Sequence, residues 1–290
     1  MSRILLTGID GQVGWELQRS LQPLGEIIAL NRSGLNLSDP DQIRKVIRSE
    51  KPSIIVNPAA YTAVDKAETE IDQAFSINAI APGILAEEAR RLDALLVHYS
   101  TDYVFDGHQK TPYKEEDTPA PLGVYGRSKL EGERAIQAVG GRHLIFRTCW
   151  VYSLRGHNFL RTILRIASER DELKVVSDQV GAPTWSRLIA ETSALALARY
   201  SGQNGIYHLT AGNSTSWYEF AQEIVKTASI LGLLAKPPPL VTPISTKEYP
   251  TNAIRPLNSR LDCTRLTEAF NLHVADWLSQ FYLCINAAVR

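Results

Sequence analysis

The opening strand and glycine turn limit the fold more than any other stretch. Ile4-Leu5-Leu6-Thr7 is a short apolar run ended by a glycine. Gly8-Ile9-Asp10-Gly11-Gln12-Val13-Gly14 follows, and helix-forming residues run from about Gly11 to Leu21. A short unbroken apolar run with a turn signal behind it reads as a strand buried on both faces, as in a parallel sheet. Glycines between such a strand and a helix let backbone N–H groups approach a pyrophosphate, and the helix N-terminus adds a favourable dipole for that anion. The plainer use of the same glycines is to connect two elements. The strand–turn–helix order favours dinucleotide binding and an α/β fold, a Rossmann-type doubly wound parallel sheet.

The next elements repeat the alternation. Glu26 to Leu30 reads as a second strand, ending at Asn31-Arg32. An acid at that strand end grips the ribose 2′-hydroxyl of NAD. Asn31 has no carboxylate to repel a 2′-phosphate, and Arg32 can pair with one, so NADPH is expected ahead of NADH. The bland alternative for Arg32 is a solvated turn residue. Asn36-Leu37-Ser38-Asp39-Pro40 is a turn with Pro40 at a first helical position, and the helix runs to about Ser49. Ser53 to Asn57 is the third strand, and the small residues after it, Pro58-Ala59-Ala60, leave room for a flat ligand. One long helix is expected from about Asp72 to Leu92. Asn78 lies inside it, where asparagine is mildly unfavourable. Ala94 to Tyr99 is the fourth strand, and it delivers Ser100-Thr101-Asp102 to the sheet edge where open α/β sheets bind ligands.

Tyr125-Gly126-Arg127-Ser128-Lys129 opens another helical stretch. Residues four apart share a helix face, so Tyr125 and Lys129 project the same way. A free phenol titrates near ~10 and is a poor acid or base at neutral pH. A neighbouring cation lowers that value, which makes the pair a general acid suited to a carbonyl undergoing reduction. Taken alone the spacing is weak, since a surface tyrosine and a solvated lysine recur by chance. The hydroxyl of Thr101 is placed to reach the same carbonyl.

Lys plus Arg and Asp plus Glu both number 31, and no long charge run occurs, which argues against nucleic-acid or membrane-surface binding. No apolar stretch is long enough to span a bilayer. Cys149, Cys263 and Cys284 are widely spaced, with no disulfide or zinc pattern, which fits a reducing cytoplasm and no metal site. The second half reads as a strand at His143 to Arg147, helices from Asn158 to Glu169 and Ser186 to Arg199, and a strand at Ile206 to Leu209. A helix capped by Ser216 and Glu219 and a terminal helix from Trp277 follow. Residues 1–150 are expected to form the cofactor domain. Residues 151–290 are expected to form a smaller, mostly helical substrate domain, with some segments returning to the sheet. Arg255 and Arg260 form a basic patch able to grip a diphosphate, or are ordinary surface arginines.

The glycine motif, Asn57-Pro58-Ala59-Ala60, Ser100-Thr101-Asp102 and Tyr125 with Lys129 together resemble the extended short-chain dehydrogenase/reductases. Gly11-Gln12-Val13-Gly14-Trp15-Glu16-Leu17, Thr62-Ala63-Val64-Asp65-Lys66-Ala67-Glu68, His98 to Phe105, Phe146-Arg147-Thr148, Gly181-Ala182-Pro183-Thr184 and Arg255-Pro256 narrow this to the dTDP-4-dehydrorhamnose reductase family. The resemblance covers nearly the whole chain. It implies that Tyr125 donates a proton to a sugar C4 carbonyl, that Lys129 binds the nicotinamide ribose, and that Thr101 bonds the substrate oxygen. It implies cofactor contacts at Gly8, Gly11, Gln12, Val13 and Gly14, at Asn31, Arg32, Asn36 and Leu37, and at Ala60, Tyr61, Thr62 and Tyr99. It further implies that Asp102, Trp150 and Arg255 meet a dTDP-sugar, and that the chain is a monomer or a homodimer, in some members bridged by Mg2+. Asn31 stands where close members carry Asp, which again points to NADPH over strict NADH use. A nucleotide-sugar dehydratase of the same superfamily would need a second acid where this chain has Tyr103. A non-catalytic cofactor-binding regulatory subunit is the third alternative, and the intact Thr101, Tyr125 and Lys129 argue against it.

Overall fold

Six short apolar runs form one parallel sheet in the computed structural model, which describes residues 2–289. They are β1 (Ser2–Leu6), β2 (Gly25–Ala29), β3 (Ile54–Asn57), β4 (Leu95–Thr101), β5 (His143–Thr148) and β6 (Gly205–His208). Their order across the sheet is β2-β1-β3-β4-β5-β6, and every pairing is parallel. Parallel neighbours need crossovers, and helices supply them. Between these strands lie α1 (Gln12–Ser20), α2 (Pro40–Glu50), α3 (Ala81–Arg91), α4 (Val124–Val139), α5 (Phe159–Glu169) and α6 (Ser186–Ala198), and α7 (Trp217–Ile230), α8 (Thr264–Phe270) and α9 (Trp277–Asn286) follow the last strand.

Strand side chains alternate between two cores. Ile4 and Leu6 pack with Leu17, Phe146 and Ile189, whereas Leu5 packs with Ile43, Ile47, Leu85 and Ile136. Helices α1 and α6 therefore cover one face and α2, α3 and α4 the other, which is the doubly wound arrangement expected from the sequence. The strand order reverses at β1 and β3, and the crevice beyond their carboxyl ends is where such sheets take ligands. A third core, built from α5, α7 and α9 around Leu160, Phe220, Ile224 and Phe281, holds the second half together. Helix α7 starts in a full capping box of Ser216 and Glu219. No helix of the described residues is long and apolar enough to cross a membrane.

The long helix expected from Asp72 to Leu92 is broken. Ile71–Phe75 is α-helical, Ser76–Ile80 is a π-helical turn, and α3 resumes at Ala81. Pro82 explains the break. It has no N–H to give the carbonyl four residues back, which is that of Asn78, and its ring crowds that oxygen. Helix α4 then packs directly on the turn: a Cβ on Gly132 would lie 2.1 Å from the Asn78 carbonyl oxygen.

The glycine turn is as closely packed. Gly8 has φ +59°, and a Cβ on Gly14 would stand 2.1 Å from the Gly8 carbonyl oxygen. In an open helix, Gly→Ala gains roughly 1 kcal/mol. Here Gly14→Ala is expected to lose about 1–3 kcal/mol or more through overpacking. Chemical denaturation of the two proteins checks the sign, and a more stable variant would show that the turn has room to move.

Candidate active site

The crevice at the β1/β3 switch point is lined first by backbone. The Gly11 N–H donates to the Gly8 carbonyl at 3.0 Å, and no side chain caps α1. The first N–H groups of a helix have no partner within it, so the uncapped turn presents donors and a positive dipole end. These features fit the pyrophosphate of a dinucleotide. The Gln12 side chain is used otherwise: its Oε1 accepts from Ser153 Oγ at 2.8 Å and Asn158 Nδ2 at 2.9 Å, tying the second half to the turn. Val13 packs into the core, and the Arg155 guanidinium lies 3.5 Å over the exposed ring of Trp15.

At the end of β2 the Asn31 side-chain Oδ1 accepts from Ser33 Oγ at 2.7 Å and from the Gly34 N–H at 3.1 Å. Its side chain is therefore engaged in its own turn, and Arg32 beside it is exposed. Asn36 caps the next turn through Ser38 N–H, and Leu37 is buried. After β3, Ala60 is half-buried and Thr62 exposed. The Tyr61 backbone is clamped by the π-turn asparagine: Tyr61 N–H donates to Asn78 Oδ1 at 2.9 Å, and Asn78 Nδ2 donates to the Tyr61 carbonyl and to Ser128 Oγ, both at 3.0 Å. Asn78 thus shapes the crevice wall from inside a helix. The Tyr61 hydroxyl donates to Glu70 at 2.6 Å, and that carboxylate and burial push the phenol up to about 12.

Thr101 ends β4, Tyr125 lies in the first turn of α4, and Lys129 follows one turn later. The Thr101 hydroxyl donates to Asp102 Oδ1 at 3.1 Å, near the half-buried Tyr125 phenol. The edge of the Tyr103 ring meets the Tyr125 ring at 5.5 Å between centroids. Lys129 is fully buried. Its Nζ donates to the Tyr99 carbonyl at 2.6 Å and stands 3.1 Å from His98 Nε2. Burial holds this ammonium down to about 8, with Glu133 opposing.

The electrostatics differ from the expectation that Lys129 makes the phenol acidic. Burial pushes the Tyr125 phenol above its ordinary value, and only the Thr101 hydroxyl opposes it. The lysine nitrogen is turned toward β4, where two acceptors compete for it. Tyr99 also departs from its expected place. Its ring packs in the core against Phe146, and its hydroxyl donates to Ser193 Oγ at 2.7 Å. Strand alternation sends that side chain inward, so Tyr99 meets the site through its carbonyl alone.

Asp102 is buried, and its Oδ2 has no hydrogen-bond partner among the described residues. Burial pushes its carboxyl up to about 6, with bonds from Ser259 and Thr101 opposing. A buried unpartnered oxygen beside two hydroxyls is ready to take a donor from a ligand. Trp150 has φ +48°, a strained conformation for a bulky residue. The strain carries its indole onto Trp217, stacked at 3.5 Å between centroids. Trp217 had no place in the sequence argument, because only the fold brings α7 to the end of β5. Arg255, expected to be free for a diphosphate, donates to Asp65 at 2.6 Å and to the Tyr103 hydroxyl at 3.0 Å. Arg260 is likewise turned to Asn258. Among the described residues no three His, Cys, Asp or Glu side chains gather into a metal-binding group, and Glu16 is paired with Arg19 and Arg187.

A parallel sheet with its ligand crevice at this switch point is the architecture of Rossmann-type short-chain reductases and epimerases, and the chain is of that class. A sequence model of the family described as RmlD substrate binding domain matches residues 1–289. The chain is 46% identical to a dTDP-4-dehydrorhamnose reductase of Burkholderia thailandensis, over 98% of each chain. It is 45% identical to the protein of that name from Escherichia coli, over 94% of each. The crystal structure of dTDP-4-dehydrorhamnose reductase from Bacillus anthracis in complex with NADP superposes with a TM-score of 0.92 at 34% identity, over 99% of each chain. The chain belongs to the dTDP-4-dehydrorhamnose reductase family.

The Asp102 carboxyl binds a proton more tightly folded, at about 6, than at its unfolded value of 3.8. The ionised group therefore opposes folding above pH 6, and the opposition fades as the pH falls through 6 toward 4. Asp102→Asn is expected to stabilise the fold at pH 8 by up to ~3 kcal/mol, two units at ~1.4 kcal/mol each, with a smaller gain at pH 5. Urea midpoints at the two pH values check this, and a gain independent of pH would remove the titration argument.

Proposed function

We propose that this chain reduces the C4 carbonyl of dTDP-4-dehydro-β-L-rhamnose with NADPH, giving dTDP-L-rhamnose. The reading is supported by Thr101 at the carboxyl end of β4 and by Tyr125 and Lys129 one turn apart near the start of α4, in a sheet whose first strand leads to an uncapped glycine turn. The names of the relatives supply the sugar nucleotide. A reduced nicotinamide bound in the crevice supplies the hydride.

The chain's own groups do the rest. The uncapped N-terminus of α1 and its glycines hold the pyrophosphate. The Thr101 hydroxyl turns its one proton from Asp102 to the substrate oxygen and fixes that oxygen beside Tyr125. The Tyr125 phenol, kept protonated by burial, gives its proton to that oxygen as charge develops there. Lys129 reaches the nicotinamide ribose with the N–H that β4 leaves unused. The Trp150–Trp217 stack supplies a flat apolar wall for the sugar nucleotide, and Asp102 Oδ2 accepts from one of its hydroxyls. Arg255 meets the diphosphate after exchanging Asp65 for it. The side chain of Asn31 closes its own turn and leaves a 2′-phosphate unopposed, with Arg32 beside it, which favours NADPH over NADH. The unpaired cysteines fit a cytoplasmic enzyme.

Purified protein, NADPH and the 4-keto sugar nucleotide are expected to show falling nicotinamide absorbance and a rhamnose product. Folded protein with a flat trace would instead support a cofactor-binding regulatory role. Tyr125→Phe is expected to lower kcat by roughly 10²–10⁴-fold with a small change in KM, the usual worth of a positioned acid. A near-normal rate would take the phenol out of the mechanism. Asn31→Asp is expected to shift the NADPH/NADH ratio of kcat/KM toward NADH, and an unmoved ratio would show that this strand end does not set cofactor choice.

A further inference from the structure

A line of buried polar side chains runs beneath the site and joins the glycine turn to the lysine. Thr7 Oγ1 lies 2.6 Å from Asn57 Oδ1, and Asn57 Nδ2 lies 3.1 Å from His98 Nδ1. His98 Nε2 is 3.1 Å from Lys129 Nζ. All four residues are at most 1% exposed, so none of these groups has water to fall back on. Three strands and a helix contribute one residue each: Thr7 follows β1, Asn57 ends β3, His98 is in β4 and Lys129 in α4.

Donor counting fixes the direction of this line whenever the lysine is charged. An ammonium has three N–H donors and no acceptor. One goes to the Tyr99 carbonyl at 2.6 Å. The next can go to His98 only if Nε2 carries no proton, which puts the ring proton on Nδ1. The Asn57 amide must then turn its oxygen to Nδ1–H and its NH2 to Thr7 Oγ1. The two ends of an amide are alike in shape, so a half-turn satisfies the same distances. The lysine keeps one N–H for a ligand. Resting on the reductase reading given above, we propose that His98 is a positioning residue for Lys129: its neutral imidazole accepts one N–H of the ammonium, keeps the lysine charged in a dry site, and leaves a single N–H aimed at the cofactor ribose.

The surroundings favour this arrangement. Burial and the nearby Lys129 hold the imidazole well below its usual value, so it stays neutral and can accept. The charged groups of α4 near it are Lys129 and Glu133, and Glu133 is paired with the buried Arg147 of β5. From β3 the neutral Asn57 meets the ring, and the neutral Thr7 lies beyond it on the other side of the amide. The acids of α3, Glu87 and Glu88, are paired with Arg44 and Arg48 of α2. Burial weakens the lysine's hold on its proton, so an added acceptor at 3.1 Å is a direct counterweight.

Two measurements test the proposal. Nitrogen NMR of the full chain with 15N-labelled histidine reads the tautomer without any turnover. His98 is expected to be neutral with its proton on Nδ1 near pH 6.5; a proton on Nε2, or an imidazolium, overturns the proposal. The second is the pH dependence of kcat/KM. In His98→Phe the alkaline limb is expected to move about one unit lower, the worth of a charge-assisted hydrogen bond. His98→Gln, whose side-chain oxygen can accept from Lys129, is expected to restore the limb at least in part. Equal profiles for Phe and Gln, or a Phe variant whose limb stays put, would reduce His98 to packing and overturn the proposal. A wild-type chain that leaves NADPH unoxidised would sink the reductase reading instead, and the tautomer would still decide the role of His98.

Discussion

A lysine ammonium taken out of water has to find acceptors, and most of the site's geometry follows from where Lys129 finds them. Burial opposes its charge, and β4 answers with the Tyr99 carbonyl and the His98 ring. Those acceptors sit near the carboxyl end of a central strand because the interior of the strand is apolar and fully covered. The same strand end presents Thr101. The position of the lysine is thus set by the sheet rather than by its spacing from Tyr125, and the phenol one turn earlier is free to face the ligand.

Helix α4 must hold one rotation for this to work, and a buried ion pair fixes it. Arg147 donates twice to Glu133, at 2.9 and 2.6 Å, and Ser100 Oγ donates to the same carboxylate. A buried pair of this kind is weak as a source of net stability, but breaking it leaves an uncompensated charge, so it penalises any other rotation of the helix. Gly132 adds a steric limit by resting on the Asn78 carbonyl, to which Pro82, four residues on, has no N–H to give. The π turn, the lysine and the ion pair are therefore parts of one packing solution between α3, α4 and the sheet.

The second half of the chain completes the crevice from above. It reaches the glycine turn through Ser153 and Asn158 on Gln12, and the segments that follow β3 and β4 through Arg255 on Asp65 and Tyr103. β6 joins the sheet beside β5, so the second half adds β6, α6 and α8 to the sheet's core and keeps a further core of its own around α5, α7 and α9.

Much of this was legible along the chain, because its signals are local. The apolar run to Thr7, the glycines behind it and the repeat of strand and helix required a doubly wound sheet. The combination of Gly11-Gln12-Val13-Gly14, Thr101 and Tyr125 with Lys129 marked the family, since those residues are close in sequence or fixed at strand ends. Other features arise only where distant segments meet. Nothing near Tyr99 says that its ring turns inward to Ser193, nothing near Arg255 says that Asp65 claims it, and nothing near Trp150 names Trp217. His98 read as one more residue of an apolar strand, and Asn57 as the last of another. Burial gives these residues their chemistry by removing water and leaving each a single set of partners, and only the tertiary fold decides which groups are buried together.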